Sequence, residues 1–458
     1  MSANARYLGI TVIASLAGLL FGFDTAVISG VTQSLREVFH LSPATLGLAV
    51  SSALWGTLCG ALFMGKLGDR FGTRDMLKLV GLLYLVSAVG CALCWDLHSF
   101  IAFRFIGGIA IGGSSVLAPV YISEIVPAQR RGALVGLFQF NIVLGILVAY
   151  LSNFALAALV PGDAAWRWKL FSGAVPSTLF LALLFAIPQS PRWLVVRGRL
   201  QEATAVLGRL SSDDAAAQIR AYQRGGNSTG GGNSTGGAAL SWRIHRRPIL
   251  LAISLALFNQ LSGINAILYD LNDIFRDAGF SALTADLQSV AVGAANLLAT
   301  VAALSLIDRI GRKTLLLIGA VGTALSLAGV AVIMGSGLGK AWLLWLLIAF
   351  IASFAFSQGA VIWVYLSEIF PSEVRARGQG LGSATHWLAN ALISRYFPVV
   401  AAMTTALPFA FFAGCMVLQF IVVWALFPET KRATLESLSE ALDEAPSPSA
   451  RALGAPQP

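Results

Sequence analysis

Residues 46–74 read LGLAVSSALWGTLCGALFMGKLGDRFGTR, an apolar run that ends abruptly in a cluster of charges. About 20 such residues cross a hydrocarbon core of ~30 Å as an α-helix, because each residue advances the helix by about 1.5 Å. A strand of a membrane barrel would instead alternate in polarity over about ten residues. The stretch therefore predicts a transmembrane helix followed by a short charged loop.

Similar apolar runs recur along the chain of 458 residues, which is 57% hydrophobic and 12% charged. Soluble domains carry roughly 25% charged residues, so this composition excludes a soluble protein. We predict an all-α membrane protein with twelve transmembrane helices. The predicted spans are 7–30, 45–67, 76–95, 100–123, 132–157, 169–188, 248–271, 283–306, 314–334, 341–366, 378–403 and 407–427.

The basic residues are distributed as in a multi-pass protein of the lipid bilayer. The net charge is +9, but no basic stripe with interleaved aromatic residues is present, which argues against a nucleic-acid partner. Most Lys and Arg residues fall in segments on the same side of the membrane as the two termini. By the positive-inside rule this side is the cytoplasm. We therefore predict a protein of the plasma (cytoplasmic) membrane with cytoplasmic N- and C-termini.

A polar segment at 190–247 separates spans six and seven. It begins with a helical pattern at 200–221 and continues with GGNSTGGGNSTGG at 225–237. A stretch rich in glycine and serine is a flexible spacer that buries no core. The predicted parts are an N-terminal six-helix half (1–189), a cytoplasmic linker (190–247), a C-terminal six-helix half (248–430) and a cytoplasmic tail (431–458).

The chain repeats its charged loops once, at a separation of about 240 residues. The sequence DRFGTR at 69–74 recurs as DRIGRK at 308–313, and an acid followed by arginine after span four recurs after span ten. We predict that these charges form ion pairs that latch two pseudo-symmetric halves at the cytoplasmic side; the alternative is that they only set the topology. The predicted gate residues are Asp69, Arg70, Glu124, Arg131, Asp308, Arg309, Glu368 and Arg375.

Two charged residues inside predicted spans require an explanation: Asp24 in the first and Arg104 in the fourth. A charge at the bilayer centre costs at least ~2.5 kcal/mol on insertion scales. A neighbouring cation favours the ionised carboxylate, whereas burial disfavours it. We predict that Asp24 and Arg104 pair and that protonation of Asp24 releases the arginine. The alternative is a permanent structural ion pair.

Most other polar residues within the spans are amides and indoles. A carboxamide both donates and accepts hydrogen bonds, as a sugar hydroxyl does, and an indole can cover the apolar face of a sugar ring. This pattern favours a neutral polyhydroxy ligand, with ordinary helix packing as the alternative for each residue. The spacing of Gln260, Asn265 and Tyr269 places them along one side of the seventh helix. The other candidates are Gln139, Asn259, Asn296, Trp363, His386, Trp387 and Asn390.

Six separated motifs connect the chain with a known family. They are GFDT at 22–25, GKLGDRFG at 65–72, Arg104 with the glycines of 107–113, PQSPR at 188–192, QLSGIN at 260–265 and PETK at 428–431. With these motifs the chain resembles the major facilitator superfamily and, within it, the sugar porter family. The resemblance implies two six-helix halves with a ligand site near the membrane midplane and transport by alternating access.

The resemblance also implies roles for individual residues. Proton-coupled members of the family carry an acid at the position of Asp24, so the resemblance favours sugar:proton symport. Tyr269 would lie near the outer gate. The implied sugar contacts are Gln139, Gln260, Asn265, Asn296, Trp363 and Trp387.

Four residues depart from the family pattern. Asn259 and Asp270 stand where Gln and Tyr are usual, Ala360 replaces a proline, and His386 stands where Gln or Asn is expected. These departures concern the substrate, so a common hexose is not assumed. His386 is either a pH-dependent ligand contact or a neutral binding or packing residue. Asp270 is either a second proton site or an acid at the water interface.

The first hypothesis is a monomeric, proton-coupled symporter for a neutral monosaccharide or polyol, with no cofactor and no metal site. The alternatives are a passive sugar uniporter with the same site and a membrane sugar sensor that does not translocate. An enzyme is disfavoured, because no nucleophile with a base or metal constellation is evident. The four cysteines all fall within apolar runs, where a thiol behaves as a small hydrophobe.

Overall fold

The computed structural model describes residues 3–126, 131–160, 162, 164–210, 218–220, 222–223, 240–370 and 374–430. In this part of the chain helices are joined by turns, and no strand is formed. The predicted spacer at 225–237, the tail at 431–458 and the continuation of the helical pattern over 211–217 lie outside the described residues.

In the N-terminal half, residues 3–189, the helices follow the predicted spans with small shifts at their ends. The linker adds two short helices, α9 and α10. Residues Ile28–Gly30 extend α1 as a short 3₁₀ turn. The helices are α1 (Ala3–Val27), α2 (Thr32–Val38), α3 (Pro43–Phe71), α4 (Thr73–Leu93), α5 (Leu97–Ile125), α6 (Arg131–Leu159), α7 (Ala165–Phe171), α8 (Ala174–Leu183), α9 (Pro191–Val196) and α10 (Leu200–Leu210).

The C-terminal half, residues 248–430, begins within a helix that already starts at Trp242. A 3₁₀ turn at Lys340–Trp342 precedes α16. The helices are α11 (Trp242–Leu261), α12 (Ile264–Tyr269), α13 (Leu271–Asp277), α14 (Ala282–Ile310), α15 (Arg312–Ser336), α16 (Leu343–Phe356), α17 (Gln358–Glu368), α18 (Arg375–Met403) and α19 (Leu407–Leu426).

Ten spans in the described residues are long and apolar enough to cross a membrane. The two remaining predicted spans are α7 with α8, which is interrupted at 172–173, and α18, a 29-residue helix. α18 carries Arg377, His386 and Arg395, which make it more polar than the other spans. With these two, the fold is the predicted all-α membrane protein of twelve transmembrane helices.

Two of the spans are broken near their middle. Gly263 has φ +78°, a left-handed conformation that ends α11 and begins α12 in a new direction. The backbone also departs from helical geometry at Ser357, between α16 and α17. Gln260, Asn265 and Tyr269, which were predicted to lie along one side of the seventh helix, are therefore not part of one continuous helix, because the break at Gly263 falls between Gln260 and Asn265.

The repeated charged loops adopt the same local structure in both halves. Gly72 has φ +98° and Gly311 has φ +102°, and each immediately precedes a helix. Gln189 Oε1 accepts a hydrogen bond from the backbone N–H of residue 74 at 3.1 Å. Glu429 Oε2 accepts the corresponding bond from the backbone N–H of residue 313 at 3.1 Å, and its Oε1 accepts another from that of residue 312 at 2.9 Å. The motifs at 188–192 and 428–431 thus supply hydrogen-bond acceptors for the free backbone N–H groups at the N-terminus of the helix that follows each loop.

Helices α3 and α5 approach each other along a stripe of glycines. A Cβ atom at Gly108 would lie 1.9 Å from the carbonyl oxygen of Ala53, and one at Gly56 would lie 2.1 Å from that of Phe105. Only glycine permits such contacts between backbones, as is common where membrane helices pack. The glycines of α5 are therefore structural, and they fix the position of Arg104 on the same helix.

We expect Gly108→Ala to lower the midpoint of thermal unfolding in detergent, because the added methyl group overpacks the interface at a cost of about 1–3 kcal/mol. Gly414→Ala is the matched control, since nothing lies within 4 Å of a Cβ atom there. Equal midpoints for Gly108→Ala and the wild type would contradict the close packing of α3 and α5.

Candidate functional site

A cavity lies between the two halves, near the middle of the bundle. It contains about 910 Å³ of space not occupied by atoms, within the range typical of small-ligand sites. Helices α1 and α6 line it from the N-terminal half, and α11, α12, α14, α16, α17 and α18 line it from the C-terminal half. Eight predicted residues line it: Gln139, Asn259, Gln260, Asn265, Asn296, Trp363, His386 and Trp387.

Gln260 is the centre of a hydrogen-bond network in the wall of this cavity. Its Nε2 donates to Asn259 Oδ1 at 3.1 Å, and its Oε1 accepts from Asn265 Nδ2 at 3.0 Å. The same Nε2 lies 3.1 and 3.2 Å from the two ring nitrogens of His386. The break at Gly263 brings Asn265 back toward Gln260, so the amides on either side of the break are held in fixed orientations.

Aromatic rings form another part of the wall. The rings of Trp363 and His386 lie 5.2 Å apart, and those of His386 and Trp387 lie 5.0 Å apart. The ring centroids of Trp387 and of Phe21 in α1 lie 5.7 Å apart, and this contact connects the two halves across the cavity. Trp363 is 41% exposed, so its indole is available to a ligand, whereas Trp387 is 3% exposed.

Two predicted site residues do not line the cavity. Tyr269 and Asn390 are both buried, and Asn390 Oδ1 accepts a hydrogen bond from Ser394 at 3.2 Å. Tyr269 follows Asn265 by four residues in α12, but the cavity is lined there by Leu268 and not by Tyr269. For Tyr269 and Asn390, the alternative of ordinary helix packing therefore describes their positions better than a role as ligand contacts.

The cavity also has lining residues that the sequence analysis missed. Phe21 and Thr25 contribute from α1, and Thr300 contributes from α14. Phe21 and Thr25 are four residues apart and so share one helix face. This four-residue spacing within the first span is the sequence signal that indicates both residues.

Asp24 and Arg104 form the predicted ion pair. Arg104 Nη1 lies 2.9 Å from both Oδ1 and Oδ2 of Asp24, and the two side chains are 4% and 17% exposed respectively. Arg104 Nε is buried and has no hydrogen-bond partner among the described residues. Asp24 therefore supplies the charge partner of this buried arginine, and its loss of charge would leave the guanidinium uncompensated.

This pair lies in a cavity different from the one with the amides. The Asp24 cavity contains about 360 Å³ and is also lined by Tyr84, Ser87 and Cys91. Asp24 faces this cavity, and the next residue, Thr25, faces the cavity with Gln260. We call the cavity with Gln260 the amide cavity. One helix, α1, thus separates the ion pair from the amide cavity and contributes side chains to both.

We call the end of the bundle with residues 28–42 and 270–281 the outer end, and the end with residues 69–74 and 308–313 the inner end. Several contacts join the halves at the outer end. Arg36 Nη2 lies 3.8 Å from Asp273 Oδ2, and Arg395 donates a hydrogen bond to the carbonyl of residue 44. Tyr150 donates to the carbonyl of residue 268 at 3.0 Å. These contacts close the outer end.

Two acids near the outer end are more buried than an interface position implies. Asp270 is 4% exposed, and its Oδ2 has no hydrogen-bond partner in the described part of the chain. Asp270 is thus buried in this structure, and it lines a cavity at the outer end together with Arg36 and Asp273. Burial raises the pKa of Asp273, and the guanidinium of Arg36 opposes this shift.

At the inner end, the charged residues pair within each half. Glu124 accepts a hydrogen bond from Thr73 at 3.4 Å and lies 3.9 Å from Arg192. Glu368 accepts from Arg312 at 2.9 Å and from Thr430 at 2.6 Å. These two carboxylates tie helices of one half together, which differs from the predicted latch between halves.

The remaining gate residues add little to this arrangement. Asp69, Arg70 and Arg309 are exposed, and the backbone carbonyl of Asp69 accepts a hydrogen bond from Trp193 Nε1 at 3.0 Å. The side chains of Arg131, Asp308 and Arg375 lie outside the described residues.

Comparison with known proteins agrees with this architecture. The family model described as Sugar (and other) transporter matches residues 10–442. The D-xylose-proton symporter of Escherichia coli (strain K12) is 38% identical, and the match covers 96% of each chain. The arabinose-proton symporter of Bacillus subtilis (strain 168) is 36% identical over 94% of each chain.

Solved structures show the same similarity. The inward-open structure of the xylose transporter XylE from E. coli superimposes with a TM-score of 0.84 at 33% sequence identity, covering 95% of this chain and 99% of that one. The chain therefore belongs to the sugar porter family of the major facilitator superfamily, whose members are membrane transporters and not enzymes.

Proposed function

We propose that this protein is a sugar:proton symporter that moves a neutral monosaccharide or polyol across the cytoplasmic membrane by alternating access, as a monomer with cytoplasmic termini. The observation that carries the proposal is the position of α1. Its neighbouring residues Asp24 and Thr25 face the ion-pair cavity and the amide cavity, so one helix responds to both ligands.

The amide cavity suits a neutral polyhydroxy ligand. Gln139 and Asn296 supply donors and acceptors from opposite halves, and the network around Gln260 holds further amides in place. The partly exposed indole of Trp363 offers an apolar surface for a sugar ring. Because the contacts come from both halves, a bound sugar favours states in which the halves approach each other around it.

Proton coupling follows from the ion pair. When Asp24 is ionised, Arg104 holds α1 against α5 at 2.9 Å. Protonation of Asp24 removes the attraction and frees Arg104, so α1 can move relative to α5. Since α1 also contacts Trp387 of the other half through Phe21, the movement reaches the amide cavity. Proton and sugar thus act on the same conformational equilibrium.

The named relatives support this assignment. Two are described as a D-xylose-proton symporter and an arabinose-proton symporter. Both descriptions combine a pentose with a proton, so pentoses belong in any substrate screen. Asn259 and His386 form part of the cavity wall, and we propose that they set which sugar is selected.

The experiment that tests the proposal uses purified protein in proteoliposomes that contain a pH indicator. A panel of pentoses, hexoses and inositol is added outside, with no pH gradient imposed. We expect one or a few members of the panel to acidify the lumen, because each sugar that enters brings a proton. Entry of labelled sugar without any pH change would overturn symport and leave a uniporter.

A further inference from the structure

Beyond the surface contacts, one ion pair between the halves at the outer end is buried. Lys169 in α7 belongs to the N-terminal half, and Asp286 in α14 belongs to the C-terminal half. Lys169 Nζ lies 3.4 Å from Asp286 Oδ2, and the two side chains are 6% and 1% exposed. Lys169 is the first residue of predicted span six (169–188), where a lysine side chain can reach water, so its burial between the halves is unexpected.

Hydrogen bonds complete the surroundings of this pair. Lys169 Nζ also donates to the carbonyl oxygen of Gly30 at 3.1 Å. Asn272 Nδ2 donates to Asp286 Oδ1, and Ser289 Oγ donates to Asn272 Oδ1 at 2.5 Å. The network therefore joins the end of α1 and α7 in one half to α13 and α14 in the other.

The position of Gly30 connects this network with the ion pair of Asp24. Gly30 ends the 3₁₀ turn that continues α1, six residues after Asp24. Asn153 packs tightly there, since a Cβ atom at Gly30 would lie 2.4 Å from its side chain, and it donates to the carbonyl of residue 27 at 3.2 Å. A movement of α1 at Asp24 is thus transmitted to the carbonyl that Lys169 binds.

We propose that Lys169 and Asp286 form a buried latch in which each charge must be matched by the other for the outer end to close, and that this condition sets the balance between outer-closed and outer-open states. A buried pair of charges is tolerated only while both are present, because each compensates the desolvation of the other. Opening the outer end exposes both charges to water and removes that requirement. The closed state therefore disfavours either charge without the other, whereas the open state tolerates a single charge.

This dependence gives an unusual pattern of variants. Lys169→Met leaves Asp286 as an uncompensated charge in the closed state, and Asp286→Leu does the same to Lys169. Both changes therefore favour the open outer end. The double variant removes both charges and keeps apolar side chains of similar size, so it regains the closed state. A simple loss of packing would instead make the double variant the most open of the three.

The test measures distances between spin labels on cysteines placed at Val38 and Leu283, which lie at the outer end of opposite halves and are 43% and 50% exposed. The four native cysteines are first replaced by alanine. We expect Lys169→Met and Asp286→Leu to raise the ratio of long to short distances at least tenfold. We expect the double variant and Lys169→Arg to remain within about twofold of the parent.

Lys340→Met is the matched control, since Lys340 is an exposed lysine of the same end; it should leave the distances unchanged. Parental distances in both single variants would overturn the latch, as would a double variant that is as open as the singles. If a single variant does not fold, the double variant still decides, because the latch requires it to fold with a closed outer end. The inference rests only on the alternating-access part of the proposed function, and the measurement needs no sugar. The distances between the spin labels can therefore be interpreted even if the protein transports none of the sugars tested.

Discussion

Asp24→Asn is expected to abolish uphill accumulation of sugar while preserving sugar counterflow. Asparagine resembles the protonated carboxyl group, so Arg104 is permanently released and no proton is carried. Exchange of labelled for unlabelled sugar needs no net proton movement and continues. The measurements are uptake against a gradient in energised vesicles and counterflow in proteoliposomes, with the same protein preparation.

The control for this variant is Glu202→Gln, which removes an exposed acid of α10 that pairs locally with Arg199. It should retain both activities. Full accumulation by Asp24→Asn would contradict the role of Asp24 in coupling. Loss of both accumulation and counterflow would instead mark Asp24 as a structural residue, the alternative that its sequence position left open.

Gln260→Ala is expected to weaken sugar binding about 10- to 100-fold. The change deprives Asn265, Asn259 and His386 of a shared partner. A buried polar group without a partner costs about 1–3 kcal/mol, and about 1.4 kcal/mol corresponds to a factor of ten in affinity. Titration of the purified protein with the sugar identified in the panel, by calorimetry or tryptophan fluorescence, measures the change.

Asn141→Ala provides a matched amide for comparison. Asn141 is buried in α6 and donates to Ser15 Oγ at 2.8 Å, but it does not line the amide cavity. Its removal should lower thermal stability and leave the affinity within about threefold. An equal loss of affinity in both variants would show that any buried amide has this effect, and the assignment of the site to Gln260 would not stand.

The pairing of Asp24 with Arg104 was predictable from sequence because charges in a bilayer are rare and need partners. Most of the cavity was predictable for a similar reason, since polar side chains within apolar spans face one another and not lipid. Ten of the twelve spans are evident from length and hydropathy alone. These features depend on composition within a single helix, which a sequence displays directly.

Features that depend on the path of the backbone were less accessible. The left-handed conformation of Gly263 interrupts the helix between Gln260 and Asn265, whose side chains form a hydrogen bond across the break, and Tyr269 does not line the cavity. A glycine within an apolar run does not by itself predict a break in the helix. Similarly, nothing in the sequence near Lys169 indicated Asp286, which lies 117 residues later, as its partner.

The pairing of the repeated charges also depended on tertiary structure. The repeat predicted that acids and bases would meet at the inner end, and they do. For Glu124 and Glu368 these partners belong to the same half, whereas the pairs of Arg36 with Asp273 and of Lys169 with Asp286 join the two halves at the outer end. Spacing along the chain does not distinguish pairing within a half from pairing between halves.

The most direct test of the central claim is the charge that moves when sugar is added. A neutral sugar carries no charge, so any current evoked by sugar in proteoliposomes on a solid-supported membrane reports the coupled proton. The account predicts an inward positive current in the wild-type protein with the transported sugar, and none in Asp24→Asn. Sugar transport without current in the wild type, or an undiminished current in Asp24→Asn, would contradict it.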